Sequence, residues 1–271
     1  MTDAQVPDDV AAAIPGAAGS TWSWLAGLTG GAWLVRPVSG PSLVVRQASG
    51  REALVARAAA AADVGPEVVA SPTGWLAVEH LEGRHVRAVE LSRPTVLAEL
   101  ADLLRRLHQI DLTLTEAPLK SARAVYLDGI PRGTVPTSLR VDSARADSFE
   151  TQLAESAVRR VPAHLDVVAN VLETPRGLRL IDFEYAAAAD PARELGQVVW
   201  EAELDRQEFE RLVRAYATEI DVAVEATALW AWITGVTWTL WAMACQGDPV
   251  FERYARRSFE RLRRHWARPG G

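Results

Sequence analysis

Four residues near the middle of the chain have the types and spacing that phosphoryl transfer needs. The segment PAHLDVVANVL supplies His164, Asp166 and Asn170, and LRLIDFEYA, after a short hairpin-like stretch, supplies Asp182. A transferred phosphoryl group passes through a loose transition state, so a protein mainly positions the attacking hydroxyl and neutralises charge. One carboxylate can orient that hydroxyl and accept its proton. A second carboxylate and an Asn can hold Mg²⁺ on the phosphates of ATP, because Mg²⁺ prefers hard oxygen donors. Asp166 is the candidate base. Asn170 is a candidate metal ligand, and so is Asp182, which follows the apolar run Leu178, Leu180, Ile181 and would stand at a strand end facing the phosphates. His164 reads as a brace for the loop. An isolated H-x-D would be structural or accidental; Asn170 and the I-D-F-E-Y strand end turn the pattern into chemistry.

Other residues could serve the two ends of such a reaction. GLTGGAWLV, Gly27 to Val35, is a glycine-bearing loop running into a strand. Backbone N–H groups at Thr29, Gly30 and Gly31 could approach phosphates, glycine having no Cβ, although a plain β-turn would use the same letters. Lys120 is the only lysine in the chain, so Arg46 in VVRQ must supply any cation for the α/β-phosphates, with Glu52 early in the next helix as its partner. An ordinary surface Arg and Glu is the alternative. Five of the ten tryptophans fall between Trp200 and Trp241, and Trp238 and Trp241 are spaced to share one side of a helix. Aromatic faces attract quaternary cations by about 0.5–2 kcal/mol per ring; plain core packing is the competing reading. Asp190 and Pro191 form an N-cap pair that explains itself structurally, while Glu194 could face the site.

The elements that must position these residues divide the chain in two. Residues 1–19 read as an N-terminal tail. Residues 20–84 show short apolar runs separated by turns: strands Ala32–Val35 and Ser42–Arg46, an Ala-rich helix Arg51–Ala62 and a strand Trp75–His80. That layout suits a small lobe covering a nucleotide. Residues 85–271 turn helical, beginning with PTVLAELADLLRRLHQI and its stripe of Leu97, Leu100, Leu103, Leu104 and Leu107. Asp111 to Thr137 resists assignment, Ser143 to Val158 reads as helix, and three helical stretches follow the two-strand element around Asp182. The lobe boundary is expected near Glu79–Arg87.

Composition narrows the field. A net charge of −6 argues against a nucleic-acid partner but not against a cationic small molecule. The acidic N-terminus is wrong for export, and Ala228 to Cys245, the most apolar stretch, is broken by Thr and Gly and reads as a buried helix, not a membrane span. Cys245, the single cysteine, excludes an internal disulfide and fits a cytoplasmic location.

From Leu25 to Trp266 these residues resemble the aminoglycoside phosphotransferase/choline kinase superfamily, whose fold is the α+β, two-lobe protein-kinase-like one. GLTGGAWLV, LVVRQ, HLDV and GLRLIDFEYA look like bacterial thiamine kinases; IDFEYA, WTLW and FERYARRSFERL look like choline and ethanolamine kinases. The resemblance implies ATP and Mg²⁺ as cofactors and Asp166 as base. It puts Asn170 and Asp182 on the metal and pairs Arg46 with Glu52 on the phosphates. Trp238, Trp241, Tyr254 and Glu184 would stand by the substrate. It departs from the family in a minimal glycine loop, in Leu165 where a small residue is usual, and in a separation of four residues between Asp166 and Asn170 instead of five. The expected reaction is phosphorylation of a small cationic alcohol, choline-like with thiamine next. Glu201, Glu203 and Asp205 leave room for an aminoglycoside, unless they are a solvated helix face. The short Asp166–Asn170 loop leaves room for a non-catalytic nucleotide binder. Oligomeric state is not legible.

Overall fold

The structure is a computed structural model that describes residues 6–26, 31–116, 119–155, 158–217, 222–245 and 247–264. Its first part is an antiparallel five-stranded sheet in the order β1-β2-β3-β5-β4: β1 Thr21–Ala26, β2 Gly31–Arg36, β3 Leu43–Gln47, β4 Val68–Ala70 and β5 Trp75–Glu79. Alternation assigns its faces. On β3, Val45 is buried toward α1 (Asp8–Ala12), whose Val10 clusters with Ile14, Ala17, Val35, Leu43 and Ala77. The stretch expected as a tail therefore lends apolar side chains to the sheet. Arg46, on the opposite face, meets α2 (Gly50–Ala61), which starts where the Ser49 hydroxyl accepts from the Glu52 N–H at 3.1 Å.

The chain leaves β5 through His80–Gly83 and becomes mainly helical. A short strand β6 (Arg84–His85) pairs with the hairpin of β8 (Val171–Thr174) and β9 (Gly177–Leu180), while β7 (Val161–Ala163) pairs with β10 (Ala187–Ala189). These two small sheets carry the loops that hold Asp166 and Asp182. Behind them lies α3 (Pro94–His108), whose leucine stripe is fully buried, as its spacing predicts.

The rest of the lobe is α4 (Leu119–Gly129), α5 (Thr137–Ala154), α6 (Pro191–Glu201), α7 (Arg206–Tyr216), α8 (Val224–Ala244) and α9 (Pro249–Arg264). Among the described residues four helices follow β10 where three were expected, because the Asp205–Glu208 capping box starts a new helix right after α6. Helix α5 begins at Thr137, not Ser143, and α4 fills the stretch left unassigned. α6 and α8 cross closely. A Cβ on Gly196 would stand 2.6 Å from the Ala231 nitrogen, and one on Gly235 would stand 2.7 Å from the Trp200 ring. Among the described residues no helix is long and apolar enough to cross a membrane. The fold is α+β, with a sheet-built first lobe and a helical second one.

Candidate active site

Asp166 sits on the loop between β7 and β8. The Asn170 amide nitrogen donates to its main-chain oxygen and to Oδ2, both at 2.8 Å. The four-residue spacing thus still closes the loop, and with its nitrogen turned to Asp166, Asn170 has its oxygen left for a cation. His164 braces the loop as expected: its Nδ1 accepts from the Asp166 N–H at 3.2 Å and its Nε2 donates to the Ile181 carbonyl at 2.8 Å. The two contacts fix the orientation of the ring. Burial raises the pKa of Asp166, and the Asp182 carboxylate adds to the rise; His164 and the Asn170 hydrogen bond oppose it.

Leu165 has φ +64°, a left-handed conformation uncommon outside glycine. Glu194 imposes it. One carboxylate oxygen, Oε1, accepts from the His164 N–H at 2.6 Å and from the Leu165 N–H at 2.7 Å. The other meets His108 Nε2 at 2.5 Å, and His108 Nδ1 lies 2.6 Å from the Tyr216 hydroxyl. Glu194 and His108 are fully buried. Burial raises the Glu194 carboxyl, but the charge and hydrogen bond of His108 outweigh it and hold the pKa low. Gln197 adds a 2.6 Å hydrogen bond to the Leu165 carbonyl. Asp190 is fully used elsewhere: it caps α6 through the Ala192 N–H at 2.9 Å and accepts from the Trp230 indole at 3.3 Å.

Across the cleft Arg46 forms an ion pair and hydrogen bond with the buried Glu52, and its Nη2 also stands 2.9 Å from Asp182 Oδ1. Asp182 has φ +63°, the second strained position of the site. Its Oδ1 is buried and accepts no hydrogen bond among the described residues. Glu184 belongs to this side and not to the aromatic cluster: burial and the charges of Asp182, Glu52 and Asp166 raise its pKa, and only Arg46 lowers it. Asp182, Glu52 and Glu184 set their negative charge around Arg46, a balance that invites a divalent cation. No cluster of three or more His, Cys, Asp or Glu among the described residues is arranged to hold a metal. Two oxygen donors with the remainder from phosphates and water is how Mg²⁺ is usually bound, so Asn170 and Asp182 fit it. Thr29 and Gly30 lie outside the described residues; Gly31 opens β2, where any Cβ would overlap the Trp24 indole.

The tryptophan pair meets as the helical spacing predicts, with Trp238 and Trp241 ring centroids 5.9 Å apart and edge-to-face. The Trp241 ring also meets Phe251 at 5.0 Å and Tyr254 at 6.4 Å. The residue that ties this cluster to Asp166 is Glu201, the last residue of α6. The Trp238 indole donates to its Oε1 at 2.6 Å, and Gln197 donates at 3.1 Å. Burial, with the charge of Asp166 behind it, pushes the Glu201 carboxyl up to about 8. Glu203 instead is exposed and paired with Arg257 at 2.6 Å, and Asp205 caps α7. Tyr185 was not among the residues singled out from the sequence: burial, Glu184 and Asp166 all raise its phenol. The one signal for Glu201 in the sequence was an acidic residue closing an apolar helical stretch.

The profile of the phosphotransferase enzyme family matches residues 12–231. The thiamine kinases of Salmonella typhimurium and Salmonella typhi are each 31% identical to this chain over 215 residues, covering 74% of it and 73% of their own length. Among solved structures, a choline/ethanolamine kinase family protein from Mesorhizobium loti aligns with a TM-score of 0.75 at 26% identity, covering 94% of this chain and 93% of that one. A choline kinase from Streptococcus pneumoniae has the same fold, with a TM-score of 0.70 at 21% identity over 90% of this chain and 93% of that one.

Proposed function

The chain belongs to the phosphotransferase enzyme family and is a small-molecule kinase, and from that premise we propose that it transfers the γ-phosphate of ATP to the primary hydroxyl of a small cationic alcohol. The observation that carries the substrate class is Glu201. A half-buried carboxylate that accepts from the Trp238 indole and lies within the field of Asp166 pairs with no cation among the described residues, and a quaternary ammonium or thiazolium group would supply one. Choline and thiamine both present such a cation and a primary hydroxyl; the thiamine kinases among the relatives favour thiamine.

In this reading Asp166 orients the acceptor hydroxyl and takes its proton, its raised pKa bringing it nearer the working range of a base. Asn170 holds Asp166 in place and, with Asp182, holds Mg²⁺. When bound, Mg²⁺ would offset the charge that develops on the transferred phosphate. Arg46, steadied by Glu52, turns from Asp182 toward the α/β-phosphates. Glu194 keeps the Asp166 loop in its strained shape, so no reorganisation is needed at the moment of transfer. Residues 20–84 form the nucleotide-covering lobe and 85–271 the acceptor lobe, and the reaction belongs to the cytoplasm, where ATP is available and a lone Cys245 stays reduced.

The test is Mg²⁺–ATP-dependent ADP release against choline, ethanolamine, thiamine and kanamycin, with Asp166→Asn as control. Turnover with one of the cationic alcohols and about a 10²–10⁴-fold loss in the variant is expected. Undiminished turnover in Asp166→Asn would remove Asp166 from its role, and turnover with kanamycin alone would replace the substrate class.

A further inference from the structure

Helix α6 grips both ends of the site from one face. Glu194, Gln197 and Glu201 recur at helical spacing and so lie along the same side of it. Glu194 Oε1 accepts from the Leu165 N–H at 2.7 Å, and Gln197 Nε2 donates to the Leu165 carbonyl at 2.6 Å. Both main-chain groups of the residue before Asp166 are therefore docked on this helix. The same Gln197 nitrogen donates to Glu201 Oε1 at 3.1 Å, the atom that also accepts from the Trp238 indole.

A main-chain carbonyl can only accept, so the amide must present its nitrogen here, and that nitrogen carries two hydrogens for two acceptors. The Asp166 loop and the carboxylate at the aromatic cluster thus hang on a single atom. Gln197 is buried, and α6 cannot slide to change the fit. Gly196 beside it has no room for a Cβ against the Ala231 nitrogen of α8. From α9, Arg261 donates to the Trp200 carbonyl, and its guanidinium carbon lies 4.3 Å from the centroid of the Trp200 ring. Four residues advance about 6 Å along a helix. The offset between the two ends of the site is set by that rise and fixed by the hydrogen bonds of Gln197.

Building on the proposed function, we infer that Gln197 is a positioning residue that makes α6 a ruler: it fixes the separation between Asp166, which receives the hydroxyl, and Glu201, which meets the cation, so alcohols are selected by the number of carbons between the two groups. A homologue one methylene longer or shorter satisfies one end and misplaces the other. A misplacement of about 1 Å at the reacting hydroxyl is enough to cost about 10²-fold in rate. ATP is indifferent to the ruler, because its residues lie on β3, α2 and the Asp182 loop.

The test is kcat/KM, at saturating ATP, for trimethylammonium alcohols with hydroxyethyl, hydroxypropyl and hydroxybutyl chains, and for thiamine beside its hydroxymethyl and hydroxypropyl analogues. Wild type should prefer one length over its neighbours by about tenfold or more. Gln197→Met keeps the length of the side chain and removes the donor. It should bring the homologues to within about threefold of one another, with KM for ATP within about twofold of wild type. Glu201→Asp withdraws the carboxylate by one methylene and should move the optimum to a different length. Equal turnover across lengths in the wild type overturns the inference. So does an unchanged preference in Gln197→Met with every homologue slowed alike, which is what a merely structural role would give. Should Gln197→Met fail to fold, Glu201→Asp decides, and an optimum that stays put overturns the inference. Wild-type silence on both series would instead overturn the proposed substrate class, and the ruler with it.

Discussion

Glu201 gives the cation a pH signature. Its carboxyl is held at about 8 in the free protein, so at pH 7 only about one molecule in eleven carries the charge, and at pH 6 about one in a hundred. A permanently charged alcohol such as choline binds the ionised form, so binding releases a proton. KM for choline should fall about tenfold per pH unit from 6 to 7.5 and level off above about pH 8.5, with ATP held saturating. Stability moves the opposite way. The folded protein binds this proton more tightly than the unfolded chain, so the contribution is fully present below the ordinary carboxylate range near pH 4.5. It is lost as pH rises toward 8, by at most about 1.4 kcal/mol per pH unit. Steady-state kinetics from pH 6 to 9 and calorimetry in buffers of different ionisation enthalpy measure the two linked quantities. Glu201→Gln should abolish the slope and raise KM above the wild-type plateau by about 10–100-fold, the worth of a charge-assisted contact. A flat pH profile in the wild type, or Glu201→Gln indistinguishable from it, would refute the assignment of the cation to Glu201.

Gly196→Ala should destabilise the fold by about 1–3 kcal/mol in urea unfolding, since the new Cβ would press on the Ala231 nitrogen at 2.6 Å and neither helix backbone can yield cheaply. Glu194→Gln should cost about 3 kcal/mol, because it leaves His108 without its buried carboxylate, and should lower kcat more than it changes KM for ATP. The stability Glu194 confers, its pKa being depressed, is present above the unfolded carboxylate pKa and is lost as pH falls below it. ATP should raise Tm strongly with Mg²⁺ and weakly without it. Equal shifts would deny Asn170 and Asp182 their metal and revive the non-catalytic reading.

The parts of this molecule legible in its sequence are those where pattern and chemistry coincide. Helix α3 announced itself because its buried stripe is leucine, and Asp182 because an apolar strand runs into it. Helix α5 was legible only from Ser143 onward; its first turns were not, because the buried positions Leu139, Asp142, Ser143, Ala146 and Glu150 form a stripe with helical spacing but mostly polar letters. α4 was hidden for the same reason, its one fully buried residue being Arg123. Strand β10 is three alanines, a composition that favours helix and is overruled by pairing with β7. Of the carboxylates Glu201, Glu203 and Asp205, sequence could not say which turned inward. The helix ends between them: Glu203 takes φ +54°, and the three side chains then leave in different directions.

The left-handed Leu165 has one more consequence. Where glycine makes such a turn, the loop is free to flip; here the turn is enforced from outside, by a carboxylate that belongs to α6 and is itself anchored through His108 to α3 and through Tyr216 to α7. Leu165 then uses its side chain as a packing wedge against Ala163, Ala187 and Ala189. The Asp166 loop therefore has no resting position separate from its working one, since leaving it would tear three helices from their shared anchor. Activity should therefore fade on heating only when the helical lobe itself comes apart.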